Sequence, residues 1–249
     1  MTAFTPPLAL ASLSGRSDAA WARAGSEYAG AAFLGGIALD EPAREAAREL
    51  VARDREEFLP SDPLEFIDGE LTALEDVPIQ PGFNVRATSP EPVGEAAEIC
   101  HDHGAVLEVN AHCRQEELCA VGCGETLLRD PPRLCRYVEA AAETGATVSV
   151  KVRAEVPGVD LPDLARDLEA AGASMVHVDA MDSEEVISDI ADASELFVIA
   201  NNEVRGERTV REYLEYGADA VSVGRPSTEP AVLERVRAAV DRTVGLEAK

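Results

Sequence analysis

Three of the chain's five cysteines fall within VNAHCRQEELCAVGCGETLLRDP, residues 109–131. A thiol in that stretch could ligate a metal, fill a core, or do chemistry on a bound molecule. Cys113, Cys119, Cys123 and Cys135 lie six, four and twelve residues apart. No common zinc or iron–sulfur pattern uses those spacings, even with His101 and His112 added as candidate ligands, so no metal centre is expected. Cys119 and Cys123 would fall one turn apart on a helix, which suits packing. Cys113 differs, because it follows an apolar run directly and sits near Asn110 among polar neighbours, where a reactive thiol meets a ligand.

Lys151 is the second unusual residue. It lies inside the β-branched run TVSVKVR, in a chain whose only other lysine is Lys249. An ammonium is costly to bury without an anion. Lys151 therefore meets an anionic ligand, snorkels to a rim, or pairs with a carboxylate such as Glu108. His177, in MVHVDA, shares a strand face with Met175 and Asp179. It would either contact a ligand or be a satisfied core histidine. Two further stretches, NNEVRGERT (201–209) and GRPSTEP (224–230), each combine a small-residue turn with arginine. Gly224 permits close backbone approach and Arg225 can fork onto phosphate. Glu203 fits beside a phosphate only if its carboxylate faces away.

The elements that must position these residues are legible as alternating runs. Strand-like segments occur at 7–12, 31–39, 82–87, 105–111, 147–153, 174–180, 196–201 and 219–225. Between them lie amphipathic helical segments, among them 41–58, 131–144 and 161–172, with apolar residues recurring at three and four. Eight βα units in 249 residues predict one TIM (β/α)8 barrel over 1–249, with a doubly wound open sheet as the alternative. Residues 58–76 would decorate the loop before the third strand. In such barrels the strand C-termini form the active-site mouth. Ser12, Ser14, Asn84, Asn110, Cys113, Lys151, Arg153, His177, Asn201, Asn202, Gly224 and Arg225 all fall at or near those ends.

Composition narrows the setting. Acids number 47 against 22 basic residues, a net charge of −25. The acidity is spread along the chain, which fits a halophilic surface better than a tail for a basic partner. An odd cysteine count, a start without a basic region and the absence of an apolar run of membrane-spanning length predict a cytoplasmic protein with reduced thiols and no membrane partner.

These residues resemble the tRNA-dihydrouridine synthases, FMN-dependent barrels, and their small archaeal relatives in particular. ASLSGRSDAAWAR is similar to the family's Ala-Pro-Met-Ala-Gly-x-Thr-Asp segment. EVNAHCRQEELCAVGCGETLLRDP resembles Asn-x-Gly-Cys-Pro and the Gly-x-Gly-x-x-Leu-Leu-x-x-Pro after it. VSVKVR resembles Val-x-Val-Lys-x-Arg, MVHVDA the strand bearing the flavin-site histidine, VIANNEV the Asn-Gly-Asp turn, and GADAVSVGRP the final Gly-Arg segment.

The resemblance implies FMN as cofactor, with Ser12, Leu13, Ser14, Asn84, Lys151 and His177 around the flavin. It places Asn201, Asn202, Glu203, Gly224 and Arg225 on the phosphate. It makes Cys113 the general acid, Asn110 and Arg153 substrate contacts, NADPH the electron donor and tRNA the partner. A neutral thiol suits that role, because reducing a uracil C5=C6 bond requires a proton at C5 opposite a hydride at C6.

The sequence departs from the family at several of these positions. Ser12-Leu13 replaces Pro-Met, His112 replaces a glycine, Arg114 replaces the proline after the cysteine, Asn202 replaces a glycine, and Asp179 stands where an arginine is common. The chain also ends one helix after the eighth strand, where the synthases carry a helical tRNA-gripping domain. Two alternatives follow. One is a dihydroorotate- or dihydropyrimidine-dehydrogenase-like enzyme acting on a small pyrimidine, and the other is a non-catalytic flavin- or phosphate-binding barrel.

Overall fold

A computed structural model describes residues 3–245. Eight parallel strands close a barrel in chain order: β1 Leu8–Leu10, β2 Ala31–Ala38, β3 Gln80–Arg86, β4 Val106–Asn110, β5 Thr147–Arg153, β6 Met175–Asp179, β7 Phe197–Asn201 and β8 Ala220–Val223. The TIM barrel is therefore the fold, and the open sheet is excluded because β1 pairs with both β2 and β8. The helices are α1 Ala19–Gly25, α2 Glu41–Val51, α3 Pro63–Thr72, α4 Glu91–Asp102, α5 Glu116–Ala120, α6 Glu125–Leu128, α7 Pro131–Ala142, α8 Leu161–Ala170, α9 Val186–Ala193, α10 Glu207–Glu215 and α11 Pro230–Thr243.

Local chemistry explains where several helices begin. Asp40, Asp62, Asp130 and Asp160 each cap a helix, the carboxylate accepting from a first-turn N–H, with proline in the first turn. An aspartate cap satisfies an otherwise unpaired donor, and proline has none to lose. The outward faces of the strands and the inward faces of the helices form one continuous apolar core.

Inside the barrel, composition changes from bottom to top. Phe4, Phe33, Val106, Met175 and Ile199 plug the N-terminal end, with the Phe4 and Phe197 rings 5.3 Å apart. Above them, alternation along the strands turns polar residues inward: Asn84, Glu108, Asn110, Lys151, His177 and Ser222, all buried. Strand register brings Asn84 beside Glu108, Asn110 beside Lys151, and Lys151 beside His177. The apolar plug leaves the C-terminal end as the place where polar chemistry gathers.

The second long helix is shorter than its sequence pattern suggests. Instead of running to residue 58 it stops at Val51, and Asp54 takes a left-handed φ of 59°. The apolar spacing ends at Leu50, so continuing the helix would have buried nothing. Residues 54–57 instead cross toward the mouth, and Phe58 stacks near Phe66 with centroids 5.2 Å apart. The predicted decoration at 58–76 contains α3.

Candidate active site

Two adjoining cavities open at the C-terminal ends of the strands. The β7–β8 cavity, about 420 Å³, is walled by Lys151, Asn201, Asn202, Glu203, Ser222, Gly224 and Arg225. The β4 cavity, about 670 Å³, is walled by Ser14, Arg86, Asn110, Cys113, Arg114, Gln115 and Arg153. Ser12, Leu13, His112, Asp179 and Arg225 line both. The volumes are those of small-molecule sites. Lys151 and Cys113 thus sit in neighbouring compartments with a shared wall.

Lys151 is 3% exposed. Among the described residues its ammonium makes no hydrogen bond or ion pair. Burial lowers its pKa, which the negative charges of Glu108 and Asp179 partly oppose. An unpaired buried cation on a cavity wall is a site for an anionic or electron-rich ligand. Gly224 points the same way, since a Cβ there would meet no atom within 4 Å. Glu203 is 60% exposed and turned onto Arg205 at 3.1 Å, the outward orientation a phosphate neighbour requires. Asn202, which replaces a glycine of the family's turn, still holds a φ of 115°, and its amide donates to the Met181 carbonyl at 2.6 Å. That positive φ carries a cost that functional sites commonly bear.

Cys113 is buried, 6% exposed. Its N–H donates to Asn110 Oδ1 at 3.2 Å and its thiol donates to Gln115. Burial raises the thiol pKa, with the nearby Arg86 charge opposing. The group is therefore a neutral S–H at pH 7, with a cation at hand if it gives up its proton.

Asn84 and His177 line neither cavity. The resemblance implies flavin contact for both, and the fold buries both side chains fully beneath the mouth. They belong to a directional chain of hydrogen bonds. Asn110 Nδ2 donates to Asn84 Oδ1 at 2.8 Å, and Asn84 Nδ2 to Glu108 Oε1 at 2.7 Å. From the other side, Asn201 Nδ2 donates to Ser222 Oγ at 2.7 Å, Ser222 pairs with His177 Nε2 at 2.7 Å, and His177 Nδ1 pairs with Glu108 Oε2 at 2.8 Å. Burial and the Lys151 charge lower the His177 pKa. Burial opposes ionisation of Glu108, but His177, Lys151 and Asn84 outweigh it and lower its pKa. A neutral imidazole donating to a carboxylate satisfies both directions.

Sequence reasoning named Glu108 only as a partner for Lys151, and it missed Arg86 altogether. Arg86 is buried at the end of β3, bonds Glu57 at 2.7 Å and donates to Ser14, while its Nε has no partner. Its position, two residues after Asn84 and on the same strand face, was the available signal. Arg153 lies in the β4 cavity wall, 3.5 Å from Glu125. Among the described residues no group of His, Cys, Asp and Glu could hold a metal ion, and no helix is long and apolar enough to cross a membrane.

Comparison with known proteins places the chain beside one family, two relatives and two solved structures. Residues 78–246 match the family described as Dihydrouridine synthase (Dus). An uncharacterized protein of Methanocaldococcus jannaschii is 25% identical over 231 residues, 87% of each chain. A protein of Rhizobium leguminosarum bv. phaseoli named "Probable tRNA-dihydrouridine synthase" is 28% identical over 147 residues, 53% of this chain and 46% of that one. Among solved structures, FabK from Thermotoga maritima superposes with a TM-score of 0.61 at 16% identity, over 91% of this chain and 60% of that one. A chain of the tryptophan synthase complex from Pyrococcus furiosus gives 0.59 at 15% identity, over 96% and 98%. At these identities the two structures share the fold alone.

Proposed function

The chain belongs to the dihydrouridine synthase family, and from that membership we propose that it reduces the C5=C6 bond of a uracil-type base with FMN as cofactor. The observation that carries the reading is the pair of adjoining cavities, one walled by an unpaired buried ammonium and the other by a neutral thiol.

The residues present suit FMN. Lys151 would face the electron-rich edge of the flavin, where a fixed cation favours the negative charge gained on reduction. Asn201, Asn202, Gly224 and Arg225 would hold its phosphate, and Ser12, Leu13 and Ser14 would support the ring from β1. When bound, FMN would supply the hydride that C6 of the base requires. Cys113 Sγ would give its proton to C5, and the resulting thiolate would be held by Arg86 until water reprotonates it. The raised thiol pKa favours that return. Asn110 ties the Cys113 backbone to the buried network and so fixes the acid's position, and Arg153 would contact the substrate's polar edge. Asn84 and His177 act as positioning residues through Glu108, Ser222 and Asn201. We assign tRNA as the substrate, NADPH as the electron donor and the cytoplasm as the place of action.

Purified protein should be yellow, with flavin absorbance that denaturation releases as FMN. Mass spectrometry of tRNA from a strain lacking the gene should show dihydrouridine lost, restored by the wild-type gene and not by Cys113→Ala. Colourless protein that takes up no FMN, or tRNA unchanged by the deletion, would overturn the reading.

A further inference from the structure

The chain has twenty arginines among far more acids. Seventeen donate to a carboxylate or a backbone carbonyl. Arg55, Arg114 and Arg225 do neither among the described residues, and all three line the β4 cavity that contains Cys113. In a molecule with so many carboxylates available, the three guanidinium groups left without a protein partner gather around one opening.

Arg225 borders both cavities, whereas Arg55 and Arg114 border only the one with the thiol. Their loops are anchored. A Cβ at Gly15 would lie 2.6 Å from the Glu56 backbone, so the Arg55 loop rests directly on the loop after β1. Arg53 in that loop also pairs with Glu117 of α5. Arg114 follows Cys113 directly, and the Cys113 carbonyl accepts from the Glu125 N–H at 2.9 Å. The acids on the same wall are accounted for. Glu56 is engaged by Arg16 at 3.2 Å, Asp54 flanks Arg55 on the wall, and Asp179 borders both cavities, so Arg55 and Arg114 lie on the side of the opening away from the β7–β8 cavity.

We propose that Arg55 and Arg114 form a phosphate subsite beside the pyrimidine position, so that the base is accepted as part of a nucleotide and rejected as a free ring. The inference rests on the reading of the β4 cavity as the pyrimidine site. Guanidinium forks recognise phosphate bidentately, and cations focused in an opening raise the local concentration of an anionic substrate against a repelling surface.

The test is fluorescence anisotropy of a labelled oligouridylate against the FMN-loaded protein across a salt series, with FMN content recorded separately. The Arg55→Gln/Arg114→Gln double variant should bind at least tenfold more weakly at low salt. The slope of log affinity against log salt should shrink by about 1.4, from about 0.7 per lost phosphate contact on a single strand. Arg208→Gln, a paired arginine on α10, should stay within twofold of wild type. Uridine should fail to displace the oligonucleotide while UMP displaces it. Displacement mole for mole by UMP would assign the subsite to a mononucleotide, and much weaker displacement would assign it to a chain. Unchanged affinity and slope in the double variant, or uridine competing as well as UMP, would overturn the subsite. Protein that takes up no FMN yet loses slope in the double variant would sink the flavin reading and leave the subsite standing.

Discussion

Replacing Glu108 with glutamine is the most informative perturbation of the interior. The wild-type carboxylate accepts from Asn84 on one oxygen and from His177 on the other, at 2.7 and 2.8 Å. Glutamine offers one acceptor and one donor, so either an N–H faces the Asn84 amide, or His177 must move its proton to Nε2 and the Ser222 hydroxyl must turn away from it. Flipping Asn84 does not cure this, because its NH2 would then oppose that of Asn110. The mismatch would reach Asn110, whose carbonyl holds the Cys113 N–H. One charge-assisted bond lost and one buried donor left unpaired cost about 4 kcal/mol together. Relief from burying a charge offsets part of this, leaving a destabilisation of about 2–3 kcal/mol. For a chain of this size that is a fall in Tm of roughly 4–12 °C. Thermal unfolding at pH 7 measures it directly. The sign with pH is also fixed. A carboxylate whose folded pKa is depressed adds stability above its unfolded value of about 4.3, and that stability is lost as pH falls through the folded value. The gap between wild type and Glu108→Gln should therefore close in acid. A variant at least as stable as wild type at pH 7 would refute the view that Glu108 organises the floor of the site.

Lys151→Met removes the one unpaired buried ammonium among the described residues and should weaken FMN binding at least tenfold, measured by flavin fluorescence on titration, with little change in Tm. Cys113→Ala should retain FMN and lose base reduction by at least a hundredfold, a difference of about 2.7 kcal/mol in barrier, read as dihydrouridine formed per turnover. Iodoacetamide at pH 8 should label half-exposed Cys119 before Cys113, and Cys100 and Cys123 last, because burial pushes the latter two thiols up to about 12; peptide mapping gives the order. His177 is held neutral in the fold, so the unfolded chain takes up a proton that the native chain refuses as pH falls below about 6.5. Stability should decline from pH 7 toward pH 5, and His177→Gln should flatten that decline.

The barrel was legible because two periods alternate eight times. β-branched runs such as TVSVKVR can only be strands buried on both faces, and aspartate–proline starts mark α2, α3, α7 and α8. What the periodicity could not set was the end of α2, since VARDREEF keeps good helix formers after its apolar stripe has run out. The site was legible in part for a related reason. Strand ends supply the mouth, so residue types at those ends identified Lys151, Cys113, Asn110, Arg153 and Arg225 as wall residues. Alternation alone does not say how deep an inward side chain lies. Asn84 and His177 face inward, as their positions require, but line neither cavity. Arg86, on the same face as Asn84 and one step higher, is the residue that emerges in the wall.

The charges of the molecule are sorted by depth, and that sorting links fold to chemistry. Its outer surface is acidic, and most of its arginines there donate to neighbouring carboxylates or backbone carbonyls. Within the barrel one carboxylate, Glu108, collects donors from both halves of the ring of strands and holds them in a single orientation. Lys151 lies above it, buried but on the cavity wall, and among the described residues it makes no bond of its own. If Glu108 bonded Lys151 directly, the ammonium would be neutralised and turned down into the floor. Because His177 and Asn84 occupy the carboxylate instead, the ammonium stays free to face the cavity. The His177–Glu108 pair is thus the reason that Lys151 is available to a ligand at all. A sequence in which His177 became leucine would be expected to draw Lys151 onto Glu108 and lose its anion site, with the barrel intact; FMN affinity and far-ultraviolet circular dichroism together would separate that outcome from unfolding.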